Sequence, residues 1–393
     1  MSQNLNRMPL IDALKAVAAL FVVLNHFSSY GPLAEATRQH FPQISTWFFE
    51  YGRMAVQVFL VIAGFLAARG LSGDGQGLAA FPLPLIWKRY LRLVVPYLAA
   101  IGLAIVAAAI ADHWLDDDMV PARATLPQWL AHAFLVHSLL GFDALSAGVW
   151  YIAIDFQLFA LMAVLLWAGR RRIVAPALVL GVACSSLFWF NRDAGWDNWA
   201  IYFFGSYGLG AAAWWASDRR QMSAWLGVMT TVTMLALVVD FRLRIGLALG
   251  IALLLGFARR TGWLEQWPTA RPLAFLGRIS YSLFLVHFPV LLLANGLYAR
   301  LGLDSAGSVL LGLALMLATS LGLASLFYRG IESPAASQRI SGSLGWLAGQ
   351  LGRQMQRTRH LAQRAVIGAP NPPVPAAPGR IPAPRDWPGL RRS

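Results

Sequence analysis

Charge is scarce in this chain. Of 393 residues, 13% are Asp, Glu, Lys or Arg, against 58% that are hydrophobic. Soluble domains carry about 25% charged and about 45–50% apolar residues, so an ordinary soluble globular protein is excluded. Lysine is nearly absent, at Lys15 and Lys88 only, and the net charge of +14 is therefore almost all arginine. A single cysteine, Cys184, sits in an apolar run. No intramolecular disulfide can form, and the spacing of Cys and His residues expected at a metal site is missing, so no metal is expected. A signal-peptide cleavage site is also lacking. The apolar run from Leu10 to Leu24 carries Asp12 and Lys15 and ends in His26 with no small-x-small site, which reads as a retained first span.

Long apolar runs are what the sequence has in abundance. A span needs about 20 apolar residues. Windows of that kind fall near 9–28, 48–68, 91–112, 149–169, 173–190, 198–217, 222–240, 243–258, 273–298 and 306–328. The expected fold is all-α: a polytopic transmembrane helical bundle of about ten spans. The stretch 126–141 is apolar but short and His-bearing, and reads as re-entrant or interfacial. In a soluble protein the basic excess would raise nucleic-acid binding. Here it follows from the enrichment of Lys and Arg in cytoplasmic loops, so the partner expected is membrane lipid, with no nucleic acid. With the N-terminus inside, the inner segments hold Arg7, the Arg69 to Arg92 group, Arg170 to Arg172, Arg219 and Arg220, the Arg259 to Arg278 group, and Arg329 onward. The outer segments hold Arg38, Arg53, Arg123, Arg192, Arg242, Arg244 and Arg300, with the acidic run Asp116 to Asp118. Both termini are then cytoplasmic.

The composition shifts after Glu332. A transmembrane domain is expected over 1–334. A basic amphipathic segment suited to an anionic leaflet follows over 335–368. A Pro/Arg-rich tail over 369–393, with eight prolines, reads as disordered.

An ionisable group at bilayer depth costs roughly 2.5–3.5 kcal/mol on insertion scales, so each needs a reason. The first span carries Asp12, Lys15 and His26. Lys15 and His26 are 11 residues apart, which places them on one helix face about 16 Å apart. Asp12 lies three residues before Lys15 and can pair with it. That face is polar from one end to the other, as a helix lining a polar path would be. Taken singly, Lys15 could snorkel and His26 could sit at an interface. Ser280, Tyr281 and His287 mark the ninth span, with Ser280 and His287 on one face; a lone histidine there could simply be bonded within the bundle. Asp155 is buried by pattern and could pair with an arginine or a backbone group. Lys88, Arg89 and Arg92 form a cluster at the inner mouth of the third span. That cluster reads either as a cytoplasmic anchor or as a cradle for phosphates, which arginine forks bind.

These residues, in this order, resemble the membrane-bound acyltransferase family 3. Lys15, ten residues, then His26 is similar to the family's opening motif, and the run from Val56 through Gly64-Phe65-Leu66 to its Phe-rich stretch. Arg89-Tyr90-Leu91-Arg92 with Pro96-Tyr97 resembles its Arg-x-x-Arg segment, and Trp150 to Asp155 its Trp-led motif ending in an acid. Phe275 to Pro289 and Tyr328-Arg329-Gly330-Ile331-Glu332-Ser333-Pro334 match its last two motifs. Lys15 stands where Arg is commonest, Ala63 where Ser is usual and Asp155 where Glu is usual. The resemblance covers about residues 7–334.

The resemblance implies an O-acyltransferase of the bacterial inner (cytoplasmic) membrane. Its donor would be a cytoplasmic acyl-CoA, acetyl-CoA first. Its acceptor would be a hydroxyl of a surface or exported saccharide or lipid-linked sugar. Arg89 and Arg92, with Lys88, would hold the CoA phosphates. His26 would be the general base or a transient acyl carrier. Lys15, paired with Asp12, would position the donor or stabilise developing charge. Asp155, Ser280, Tyr281, His287 and Glu332 would be substrate-facing or structural polar groups. Two rivals remain at this stage: a transporter or flippase of a glycolipid or lipophilic compound, and an assembly subunit of a glycan-export complex.

Overall fold

A computed structural model describes residues 7–170, 174–217, 224–336 and 338–339. The chain divides after Ala336. The proline-rich tail at 369–393, and all but the first few residues of the basic segment at 335–368, lie outside the described residues.

The architecture is all-helical among the described residues. In chain order the helices are α1 (Pro9–Phe27), α2 (Pro32–His40), α3 (Pro42–Tyr51), α4 (Val56–Leu71), α5 (Leu83–Ala111), α6 (Leu126–Ala133) and α7 (Trp150–Gly169). They continue with α8 (Val174–Phe188), α9 (Ala200–Ala216), α10 (Ala224–Val239), α11 (Leu243–Thr261), α12 (Trp263–Gln266), α13 (Arg271–Leu301) and α14 (Ala306–Phe327). Among the described residues, seven segments are long and apolar enough to cross a membrane: those of α1, of α3 joined to α4, of α5, α7, α8, α13 and α14. The chain is thus a multi-pass membrane protein. The other three windows, 198–217, 222–240 and 243–258, are helical where described but fall short of that mark. Helices α9 and α10 have 17 and 16 residues, and α11 carries Arg244, Arg259 and Arg260.

Glycines set the closest crossings. α1 packs along α13, and α4 along α9. A Cβ on Gly277 of α13 would lie 2.2 Å from the Asp12 carbonyl oxygen of α1. A Cβ on Gly64 would lie 1.9 Å from the Tyr207 carbonyl oxygen, and one on Gly210 would lie 2.0 Å from that of Val61. Close backbone approach through small residues is how helices gain packing energy in lipid, where no hydrophobic force separates helix from solvent. α13 is mostly buried while little of α14 is, so α13 is a central post and α14 a peripheral one.

The short helix α6 occupies the stretch read as re-entrant or interfacial. Eight residues span about 12 Å, too little to cross. The Thr125 hydroxyl and the Gln128 amide cap its start reciprocally. His132 Nδ1 donates to the Gln128 carbonyl at 2.8 Å, and its Nε2 accepts the Leu145 N–H at 3.2 Å. The His137 ring stacks on it at 4.1 Å, fully buried, and neither His137 nitrogen has a hydrogen-bond partner among the described residues. Burial, and then His132, hold His137 down at about 3. Histidine in the unfolded chain titrates near 6.5, so the unfolded chain takes up this proton first as pH falls. Stability that is full above about 6.5 is therefore lost progressively toward pH 3. In detergent, the thermal midpoint is expected to fall between pH 7 and pH 4.5, and His137→Leu to flatten that fall. An unchanged fall in the variant would assign it to other groups.

Candidate active site

Two histidines 261 residues apart meet inside the bundle. His26, the last residue but one of α1, places Nδ1 2.6 Å from Nε2 of His287 on α13. The rings lie 26° from parallel, with centroids 4.9 Å apart. His287 Nδ1 is 3.1 Å from the Leu283 carbonyl. A carbonyl only accepts, so His287 carries its proton on Nδ1, and in the neutral ring Nε2 must then accept. His26 therefore donates from Nδ1. The chain of tautomers ends with an unshared pair on His26 Nε2. His287 thus orients His26 as a buried carbonyl orients His287, the arrangement a general base requires.

His26 lines a cavity of about 470 Å³; His287 lies behind it. Asn25, Tyr30, Gln57, Tyr151, Tyr202 and Phe203 share the wall, with Arg53, Arg242, Arg244 and Asp197. The wall is locked from behind. Asn25 Nδ2 donates to the carbonyls of Phe48 and Phe49 at 2.9 and 3.0 Å, tying the end of α1 to α3. Gln57 Oε1 accepts the Ser206 hydroxyl at 2.6 Å. Burial pushes the Tyr30 phenol up, so it stays an O–H donor, its ring edge-on to His26 at 5.6 Å. Gly148 has φ +79°, and a Cβ there would press 3.0 Å from the Phe284 ring and 3.4 Å from His26 Cε1. Only glycine suits both that backbone and that space.

Toward the other end of α1 lies a second polar group of residues. Asp12 pairs with Lys15 at 3.7 Å, as the spacing predicts, and also with Arg7 at 3.1 Å. Glu332 accepts the Ser282 hydroxyl and lies within electrostatic reach of Lys15 and Arg92. Tyr281 donates to the Leu93 carbonyl at 3.1 Å, and Ser280 to the Gly277 carbonyl of its own helix at 2.9 Å. Arg89 is not a free fork: one nitrogen holds Asp155 at 2.5 Å, and its Nε is buried without a partner among the described residues. Asp155 stands one turn beyond Tyr151 on α7, so this pair underlies the cavity wall. Arg92 and Lys88 are exposed at the start of α5. No group of three His, Cys, Asp or Glu residues that could hold a metal occurs among the described residues.

The structure thus joins His26 to His287 and Arg89 to Asp155, pairings that residue spacing alone leaves open. It also adds Gly148 and three cavity arginines. A signal for the arginines was present: Arg53, Arg242 and Arg244 sit in segments that charge asymmetry would leave poor in cations.

The family model described as an acyltransferase domain matches residues 9–329. The chain is 21% identical to the peptidoglycan O-acetyltransferase OatA of Listeria monocytogenes, over 83% of this chain and 55% of that protein. It therefore spans about half the length of that curated relative. No solved structure matches.

Proposed function

Because the chain belongs to the family of this acyltransferase domain and is a membrane acyltransferase, we propose that it transfers an acyl group, acetyl first, from cytoplasmic acyl-CoA to a hydroxyl of a surface or exported saccharide. The observation that carries this reading is the unshared pair on His26 Nε2 at the cavity, held there by His287. In the proposed step His26 Nε2 takes the acceptor hydroxyl proton as the oxygen attacks the thioester carbonyl. The C–O bond forms, the C–S bond breaks, and the proton passes to the departing thiolate as free CoA. The same nitrogen could instead carry the acyl group for a time, and only that route leaves label on the protein.

The proposed topology has ten spans in the bacterial inner membrane with both termini inside, which turns the His26 cavity outward to the acceptor. Arg92 and Lys88 then face the cytoplasm at the start of α5, where CoA phosphates arrive. Arg89 acts through Asp155 to hold α5 against α7. Lys15, about 16 Å along α1 from His26, attends the arm of the donor rather than the reacting carbonyl.

The test is transfer of radiolabelled acetyl from acetyl-CoA in membranes containing the chain. Label is expected in a saccharide or lipid-linked saccharide fraction. No transfer from several acyl-CoAs, with native extract as acceptor source, would favour a transporter. Arg92→Ala should raise the KM for acetyl-CoA about 10-fold or more at unchanged kcat, because one charge-assisted hydrogen bond is worth about 1.5–3 kcal/mol. A fall in kcat alone would remove Arg92 from the donor site. Arg89→Ala is a different experiment: it strands a buried carboxylate and should cost about 3–5 kcal/mol of stability.

A further inference from the structure

The His26 cavity has a charge that proton abstraction does not need. Its wall carries Arg53, Arg242 and Arg244 against one acid, Asp197. These arginines differ in how far their own chain satisfies them. Arg242 is spent internally: its guanidinium donates to Asn191 Oδ1 at 2.8 Å, to the Leu187 carbonyl at 2.9 Å and to the Asp240 carbonyl at 3.3 Å. Arg244 uses one terminal nitrogen on Asn191, at 2.9 Å to its carbonyl and 3.3 Å to its Oδ1. Its Nε is buried with no partner among the described residues. Arg53 is exposed and makes no hydrogen bond or ion pair among the described residues. Arg242 also has the Asp240 carboxylate 3.4 Å from its Nε, so Arg53 and Arg244 are the cavity arginines without a carboxylate partner among the described residues. Burial first, then Arg244 and Arg192, hold Arg242 below its ordinary value, with Asp240 opposing them.

The rest of the wall suits a sugar ring. Trp150 and Phe203 stack at 5.6 Å and 29°, and Tyr151 and Tyr202 stand beside them. Flat aromatic faces take the C–H face of a pyranose. Asn25 Nδ2 and Gln57 Oε1 are committed to the fold, and the arginines are the cationic groups of this wall. Guanidinium forks bind carboxylate and phosphate in two-point contacts, and a neutral hydroxyl does not replace them.

We propose that the acceptor is an anionic saccharide, its ring on the Trp150–Phe203 wall and its carboxylate or phosphate held by Arg53 and Arg244. This rests on the reading that acceptor hydroxyls meet His26 in this cavity. The arginines select a charged sugar, and His26 chooses the hydroxyl within reach.

The test is binding to the full chain in phosphatidylcholine nanodiscs, followed by titration calorimetry. The probes are an oligoglucuronate, its carboxyl-reduced neutral counterpart, and a phosphorylated oligosaccharide of the same length. One or both anionic probes should bind at least 10-fold more tightly than the neutral one. Which of them does so tells carboxylate from phosphate. Arg53→Gln, at an exposed position that the fold does not use, should remove most of that preference while leaving neutral binding unchanged. Arg244→Gln should do the same. Equal affinity for charged and neutral probes, binding of none, a preference unchanged in Arg53→Gln, or displacement by CoA would each overturn the proposal; the last would make these arginines donor ligands. His26→Gln should keep the preference. If the wild-type chain keeps it yet moves no acetyl, the acyltransfer reading of this cavity fails while the anionic site stands.

Discussion

His26→Ala removes acyl transfer, lowering kcat by about 10²–10⁴-fold, the usual range for loss of a general base, with normal expression and an unchanged KM for acetyl-CoA. The expectation follows from the proton inventory. His26 Nε2 is the one imidazole nitrogen at the cavity with an unshared pair. His287 cannot replace it, because it is fully buried and its Nδ1 proton is committed to Leu283. Truncation strands only an acceptor, the His287 Nε2, so the fold should survive. Donor binding is assigned to the start of α5, away from His26, and should not change. Steady-state kinetics in membranes, with the variant's amount checked by blot, decide the matter. Transfer within threefold of wild type would remove His26 from the chemistry.

Gly277→Leu should be the most damaging packing change, because it acts at the crossing that places both histidines. α1 and α13 run parallel: Asp12 meets Gly277 near their starts, and His26 meets His287 further along. A Cβ at 277 would already lie 2.2 Å from a backbone oxygen, which cannot turn aside as a side chain can. The helices must separate, and overpacking of this kind costs about 1–3 kcal/mol or more. A separation near 1 Å also breaks the 2.6 Å contact between the imidazoles, and misplacement on that scale can cost about 100-fold in rate. The expected result is a lower thermal midpoint together with transfer reduced at least 100-fold. Gly102→Leu is the control: nothing lies within 4 Å of a Cβ there, so stability and transfer should both be retained. Equal damage at the two positions would show that the added side chain itself, not the crossing, governs the outcome.

Faces were readable in the sequence and partners were not. The 11-residue interval between Lys15 and His26, and the charged residue three before Lys15, describe one helix, and a helix has a known pitch. The Asp12–Lys15 pair accordingly stands where spacing places it. His287 could be singled out as a polar residue in an apolar span, but its partner lies 261 residues away. Nothing in a helical period says which faces of ten segments meet. Arg89 illustrates the same limit: its position marked it as a phosphate fork, while its closest charge is Asp155, 66 residues on. Three of the ten windows fall short of a plain span. Helices α9 and α10 are short where described, and α11 ends in two arginines, so apolar windows overstate how plainly each crosses. Cavity arginines were visible only as exceptions to a charge rule whose purpose is orientation.

The most direct measurement is a double-mutant cycle on the two histidines, with kcat for labelled acetyl transfer read in wild type, His26→Ala, His287→Phe and the double variant. If His287 acts by fixing the His26 tautomer, His287→Phe alone lowers kcat by about 100-fold or more at unchanged KM. The double variant is then no worse than His26→Ala alone, because residues acting as one unit are strongly non-additive. Effects that multiply, or a His287→Phe enzyme with full kcat, would show that the two rings do not work as one centre.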